Sequence, residues 1–309
     1  MRRILDLESC ESFGIKRFHL LNMIKRVISN PVLCMLTVAC INNNVNAASD
    51  QIIQDCDDCP SLVIIPAGEI DIRVPPGVIG RAHNAGWYTR VSFARAYAIG
   101  VFEVTNEQWH ACIIAGGCDQ LDYDTTLNQQ YPATKISWQQ ARKYNQWLSK
   151  KTGYNYRLPS NTEWEYAARA GRGMNRYFNV LPQDICDLGN VYDQTAERIL
   201  AYNLDTLPCD DGKVSLAPVG EFEPNAFGLY DTIGNAFEWT EDCASPGNFD
   251  ASGLPTNGDP WFVGDCSLRG YRGSSWLTNE STYLIESDRF RDLTSSEEDL
   301  GFRVVRDIP

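Results

Sequence analysis

Hydrophobic positions in this chain come in short runs broken by Gly, Pro and Asn, and only three stretches carry them at helical spacing. Residues 61–67 (SLVIIPA) form an apolar run closed by Pro66 and Gly68, which reads as a strand. Val91 to Val101, rich in aromatic and β-branched residues, reads as a second strand region, and the Gly/Pro-rich stretch 73–90 before it as loop. Thr105 caps a predicted helix through Trp109 and Cys112 to Ala115, stopped by Gly116. Ser137 caps a second, in which Trp138, Ala141, Tyr144 and Leu148 share one face and Gly153 marks the end. Ser160 opens a third, with Glu163 three residues on as a capping box and Gly171 as the stop. After residue 172 the helical pattern disappears, and residues 173–309 read as loops and short strands. No repeat or inter-domain linker interrupts the chain, so residues 61–309 are expected to form one α+β domain behind a polar leader at 49–60.

The first residues carry a different signal. Lys25 and Arg26 precede an uncharged, mostly apolar run from Val32 to Ile41, and Val45-Asn46-Ala47 fits a small-x-small cleavage site. Residues 23–48 therefore read as a signal peptide, and 1–22 as a segment that is not part of the exported product. A buried N-terminal helix and lipid attachment at Cys40 are the alternatives. The run is too short to anchor the mature chain in a bilayer.

At 309 residues, with 43% hydrophobic and 11% aromatic, the chain can bury a sizeable core. Its formal charge is -13; removing residues 1–47 takes away six basic and three acidic residues and leaves -16. Such a surface repels phosphate backbones, which argues against a nucleic-acid partner. Eight cysteines remain after Ala47: Cys56, Cys59, Cys112, Cys118, Cys186, Cys209, Cys243 and Cys266. An even number in an exported chain implies disulfides. Spacing leaves 105 connectivities open; pairing in chain order is the expectation. Cys56-x-x-Cys59 also has redox-motif spacing, but its polar setting favours a staple.

Six strings then stand in order: 100–106 (GVFEVTN), 136–141 (ISWQQA), 156–169 (YRLPSNTEWEYAAR), 224–239 (PNAFGLYDTIGNAFEW), 272–276 (RGSSW) and 301–303 (GFR). Together they resemble the sulfatase-modifying-factor, or formylglycine-generating-enzyme, family across roughly residues 60–306. The resemblance implies a C-type-lectin-like α+β fold with little regular secondary structure. Within the strings, Arg157, Glu163, Glu165 and Arg169 also read as a structural ion-pair network, and Trp138, Trp147, Trp164, Trp239 and Trp276 as core.

The family binds calcium, and its ligands map onto this chain. One site matches Asp231 and Glu238 by side chain with Gly234 and Ala236 by carbonyl; the other matches Asn190 and Asp211 by side chain with Val191 and Lys213 by carbonyl. Such oxygen sets from loop backbone and carboxylates suit a hard cation. An Asx-rich turn satisfied by its own backbone is the competing reading.

Active members of the family oxidise a sulfatase cysteine to formylglycine with copper held by two thiolates, ligands suited to Cu(I). The positions that would carry that pair are Leu277 and Thr282, and no cysteine follows Cys266. No copper is expected. A related iron branch needs three histidines, whereas only His83 and His110 lie in the mature chain, and no Gly-x-Ser-x-Gly elbow suggests a hydrolase. The expected function is a calcium-stabilised binding or scaffold module. Its polar loops from Trp276 to Leu300 (Thr278, Asn279, Glu280, Ser281, Asp292, Thr294, Ser295) would meet a protein or glycan ligand. The alternative is a metal-dependent oxidoreductase of the same family with formylglycine-generating or siderophore-modifying chemistry.

Overall fold

The structure is a computed structural model, and it describes residues 52–73, 88–171, 182–244, 255–279 and 289–309. The expected signal peptide, Cys40, His83 and Thr282 lie outside the described residues. In chain order the elements are β1 (Ile52–Ile53), β2 (Leu62–Ile65), β3 (Gly68–Arg73), β4 (Tyr88–Phe93), β5 (Tyr97–Gly100), α1 (Asn106–Ile114), α2 (Trp138–Thr152), β6 (Tyr156–Arg157), α3 (Asn161–Arg169), a 3-10 turn (Pro182–Asp187), α4 (Gln194–Leu200), β7 (Phe237–Ala244), β8 (Asp265–Arg272), β9 (Arg289–Asp292), β10 (Leu300–Gly301) and β11 (Val305–Asp307).

They build a mixed α/β domain with few helices. One sheet runs β1-β2-β5-β11-β6, a second β10-β7-β8-β9, and β3 pairs with β4 alone. All three long helices begin as expected. Thr105, Ser137 and Ser160 each accept from the third residue of their helix, and Gln108, Gln140 and Glu163 bond back to complete capping boxes. The third helix runs to Arg169, and Ala170 and the expected stop Gly171 both take left-handed conformations. The expectation of no helix after residue 172 is corrected by α4, whose cap Asp193 accepts from the Ala196 amide. The strand region 91–101 divides into β4 and β5, which lie in different sheets. Ile52 and Ile53, placed in the polar leader by their neighbours, pair with Val63 and Leu62 as the first strand of the main sheet.

The core gathers Trp109, Tyr144, Leu148, Trp239 and Phe302 between α1, α2 and β7. A second cluster packs Val91, Phe93 and Tyr97 on Tyr166, and a third surrounds Trp164 with Ile185, Val191 and Ile233. Of the five tryptophans expected inside, four are buried and Trp147 is half-buried against the first cluster. The expected ion-pair network exists as two separate units. Arg157 joins Glu163 and Asp307, while fully buried Glu165 joins Arg169 and Arg272 at 2.6 Å each. Four disulfides close in chain order: Cys56–Cys59, Cys112–Cys118, Cys186–Cys209 and Cys243–Cys266. Among the described residues, no helix is long and apolar enough to cross a membrane.

Candidate functional site

The parallel pairing of β10 with β7 sets Gly301 opposite Glu238, so Arg303, two residues on, arrives beside that carboxylate. Antiparallel contacts from Gly100 and Val104 to Val304 and Phe302 bring Glu103 to the same place from the other side. A loop from Asp231 to Ala236 closes over both. Its backbone takes left-handed conformations at Asp231 (φ 55), Gly234 (φ 74) and Asn235 (φ 58), and the Asp231 and Asn235 side chains are buried. Glycine is required at 234, because a Cβ there would lie 1.9 Å from the Asn190 carbonyl oxygen.

The result is three buried carboxylates around one guanidinium. Arg303 donates from Nε to Glu238 Oε2 and from Nη2 to Glu238 Oε1, both at 2.6 Å, and Trp164 Nε1 also donates to Oε2 at 2.6 Å. Glu103 accepts from Asn235 Nδ2 and from the Ala236 amide, 3.1 Å each. Asp231 Oδ2 accepts from the Gly220 amide at 2.7 Å, while Oδ1 is buried without a hydrogen-bond partner. Burial raises the Asp231 carboxyl from its ordinary 3.8 to about 6, with the Glu238 charge adding to the effect. Burial, with Asp231 and Glu238 nearby, drives Glu103 well above the usual carboxylate range. Arg303 neutralises one of the three charges. An unbalanced pair of buried carboxylates calls for protons or a cation; Asp231 Oδ1 is the oxygen left open for one, since Arg303 and Trp164 occupy both Glu238 oxygens, and Glu103, Asp231 and Glu238 do not bring their oxygens within 4.8 Å of one another.

The second expected set lies next to the first. Asn190 forms a parallel bridge to Gly234, its carbonyl accepts from the Asn235 amide, and its Nδ2 bonds Ser215 O and Asn235 Oδ1. Asp211 accepts from the amides of Val191 and Lys213, the two residues whose carbonyls were expected to be ligands. Burial raises Asp211 from 3.8 to about 7; those amides oppose the shift, and neighbouring Asp193 adds to it. Ligand atoms of Asp193, Asp211 and Cys186 fall within 4.8 Å of one another, although Cys186 is tied to Cys209. The two carboxylates are what remains for a cation. The sequence reading missed Glu103, Asn235 and Asp193. The first carried one readable signal, a lone acidic residue between Phe102 and Val104.

The loop after β8 joins this centre. Ser274 Oγ accepts from the Gly234 amide at 2.6 Å, and the Trp276 amide donates to Asn235 O. Leu277, the described member of the two positions expected to lack cysteine, is half-buried; its amide donates to Ser275 Oγ, which itself donates to Asp299. Burial raises the Asp299 carboxyl, and Ser275 opposes the shift. Trp276 lines a pocket of about 400 Å³ with Tyr123, Tyr131, Lys135 and Leu216. His110 meets Thr125 at 3.0 Å and, among the described residues, belongs to no group of three potential metal ligands.

Residues 48–308 match the sulfatase-modifying factor enzyme 1-like domain family. The formylglycine-generating enzyme of Streptomyces coelicolor is 32% identical over 191 residues, 60% of this chain and 55% of that protein. The inactive C-alpha-formylglycine-generating enzyme 2 of Bos taurus is 29% identical over 183 residues, 56% of this chain and 50% of that protein. The chain thus spans about half the length of the curated relatives it matches. The structure of PvdO from Pseudomonas aeruginosa superposes with a TM-score of 0.65 at 29% identity, covering 83% of this chain and 98% of that one.

Proposed function

Because the chain belongs to the sulfatase-modifying factor enzyme 1-like domain family, we propose that its domain is an exported, calcium-held binding module and not a copper-dependent formylglycine-generating oxidase. The observation that carries this reading is the state of the cysteines. A copper site of the family's kind needs two thiolates, and a sulfur committed to a disulfide is not a thiolate. Every cysteine from Cys56 onward is in one of the four disulfides, and the chain after Cys266 contains none.

Calcium would be held by Asp231 and Glu238 with Glu103 beside them, and by Asn190, Asp211 and the carbonyls around them. Its role in this reading is structural: it supplies the positive charge that three carboxylates and one arginine lack, and so fixes the loops that carry Ser274 and Trp276. Ligand contact falls to the polar loops after Trp276. Export agrees with the density of disulfides.

The test is the metal content of the purified protein, with calcium and copper measured together, alongside oxidation of a Cys-x-Pro-x-Arg peptide after copper loading. Stoichiometric calcium, no tightly held copper and an unmodified peptide are expected. Stoichiometric copper or a formylglycine product overturns the reading. A second reading, an oxidoreductase of the same family with other metal chemistry, draws on the 32% identity to the formylglycine-generating enzyme of Streptomyces coelicolor; iron retained through purification would favour it.

A further inference from the structure

On another face, a groove of about 930 Å³ shares no lining residue with the pocket beside Trp276 or with the carboxylate cluster. Arg142, Asn145 and Ser149 line it from one face of α2, at steps of three and four residues. Glu241 of β7, Asp307 of β11 and the segment ending at Phe262 supply other walls.

Two acceptors here lack donors. Glu241 is 9% exposed, its closest cation is Arg142 Nε at 3.7 Å, beyond hydrogen-bond range, and no donor among the described residues reaches its carboxylate. Burial accordingly raises its carboxyl above the usual range, against the pull of Arg142 and Arg269. Asn145 is 3% exposed; its Nδ2 donates to Ala141 O, and its Oδ1 has no partner. A ligand rich in donors would satisfy Glu241 at the wall and draw on the amide beneath. Its charge is constrained as well. Three arginines face four carboxylates in the lining, so neither a polyanion nor a polycation is favoured. The outer side of β6 is not open to an extended peptide at Tyr156, whose amide donates to Ser149 Oγ at 2.8 Å. At the rim, Phe262 is 57% exposed and offers an apolar face.

We propose that this groove binds a saccharide. Uncharged rings provide hydroxyl donors for Glu241, hydroxyl acceptors for Arg142 and an apolar ring face for Phe262. Binding forms no covalent bond and is independent of the metal reading, since the two sites share no residues.

The experiment is saturation-transfer-difference NMR on the intact protein with maltotetraose, cellotetraose, chitotetraose and mannotetraose as separate probes, followed by titration of the strongest. At least one should receive saturation, and Glu241→Gln and Phe262→Ala should each weaken it by about tenfold. Phe262 is exposed, so its variant keeps the fold, which an unchanged melting curve verifies. The proposal is overturned by no transfer to any of the four sugars, by transfer that both variants leave intact, or by preference for tetralysine over every sugar. Metal analysis decides the earlier reading separately.

Discussion

Arg303 and Glu238, both fully buried, meet in a two-pronged ion pair that locks the start of β7 to the end of the chain. The same guanidinium donates to the carbonyls of Gly100, Val101 and Tyr230, so one side chain ties the acidic loop, β5 and β10 together. Burial works against its charge, yet Glu238 more than compensates and holds its pKa above the usual arginine value. The Gly-Phe-Arg string in the sequence is the visible trace of this clamp.

Replacing Arg303 with Met leaves Glu238 buried without its cation and takes a donor from three carbonyls, of which Val101 O keeps the Tyr230 amide. The expected cost is about 3–5 kcal/mol, the range for breaking a buried pair by removing one partner. Urea denaturation of Arg303→Met against the parent protein measures it. A loss below about 1 kcal/mol, the scale of an exposed pair, would show that the clamp is not buried as described.

Calcium should stabilise this protein. At free calcium one hundred times its dissociation constant, linkage gives about 2.7 kcal/mol per site if the unfolded chain does not bind. Thermal melts in EGTA and in calcium chloride should therefore separate, and Asp231→Asn should narrow the gap. Magnesium should substitute poorly, because it demands stricter octahedral geometry and keeps its water. Coincident melts in EGTA and calcium would remove the metal from the account of these carboxylates.

The pH dependence carries a definite sign. Unfolded aspartates ionise around 3.8, whereas the folded protein holds the Asp231 proton to about 6 and the Asp211 proton to about 7. Between those values the folded state binds more protons. In EGTA this contribution to stability is complete below 3.8 and is lost as pH rises to about 7. Calcium binds the ionised forms, so its stabilisation grows across the same window. Urea midpoints from pH 4 to 7.5, with EGTA and with calcium, should diverge as pH rises; parallel curves would contradict the assignment.

The parts of this fold that were legible in the sequence are those set by neighbours in the chain. Ser160 and Glu163 form their capping box within one helical turn, so three letters of spacing suffice. Helix α4 escaped because it has only seven residues and no long apolar stripe; its cap Asp193 also accepts from the Asp211 amide, a contact across 18 positions. Ile52 and Ile53 looked like a leader because two apolar residues among polar ones carry no period, and only pairing with Leu62 and Val63 makes them a strand. Asp231 and Glu238 could be located through the family resemblance. Glu103 could not be derived as their neighbour, since its partner Asn235 is 132 positions away and burial alone gives its charge significance.

Gly234 provides the last prediction, because it separates backbone strain from close approach. Gly234 (φ 74) and Gly153 (φ 81) both hold left-handed conformations, so an alanine at either place costs roughly 1–2 kcal/mol of backbone strain. At Gly153, the cap of α2, nothing lies within 4 Å of the added Cβ. At Gly234 the Cβ meets the Asn190 carbonyl at 1.9 Å, and relief requires parting the bridge that joins the two acidic loops. Gly153→Ala is therefore expected to lose about 1–2 kcal/mol and keep its full calcium response in denaturation curves. Gly234→Ala should lose at least twice as much and also lose most of that response, since the displaced loop no longer holds Asp231 in place. Equal losses, with calcium responses intact in both variants, would show that the Asn190–Gly234 contact does not organise the site.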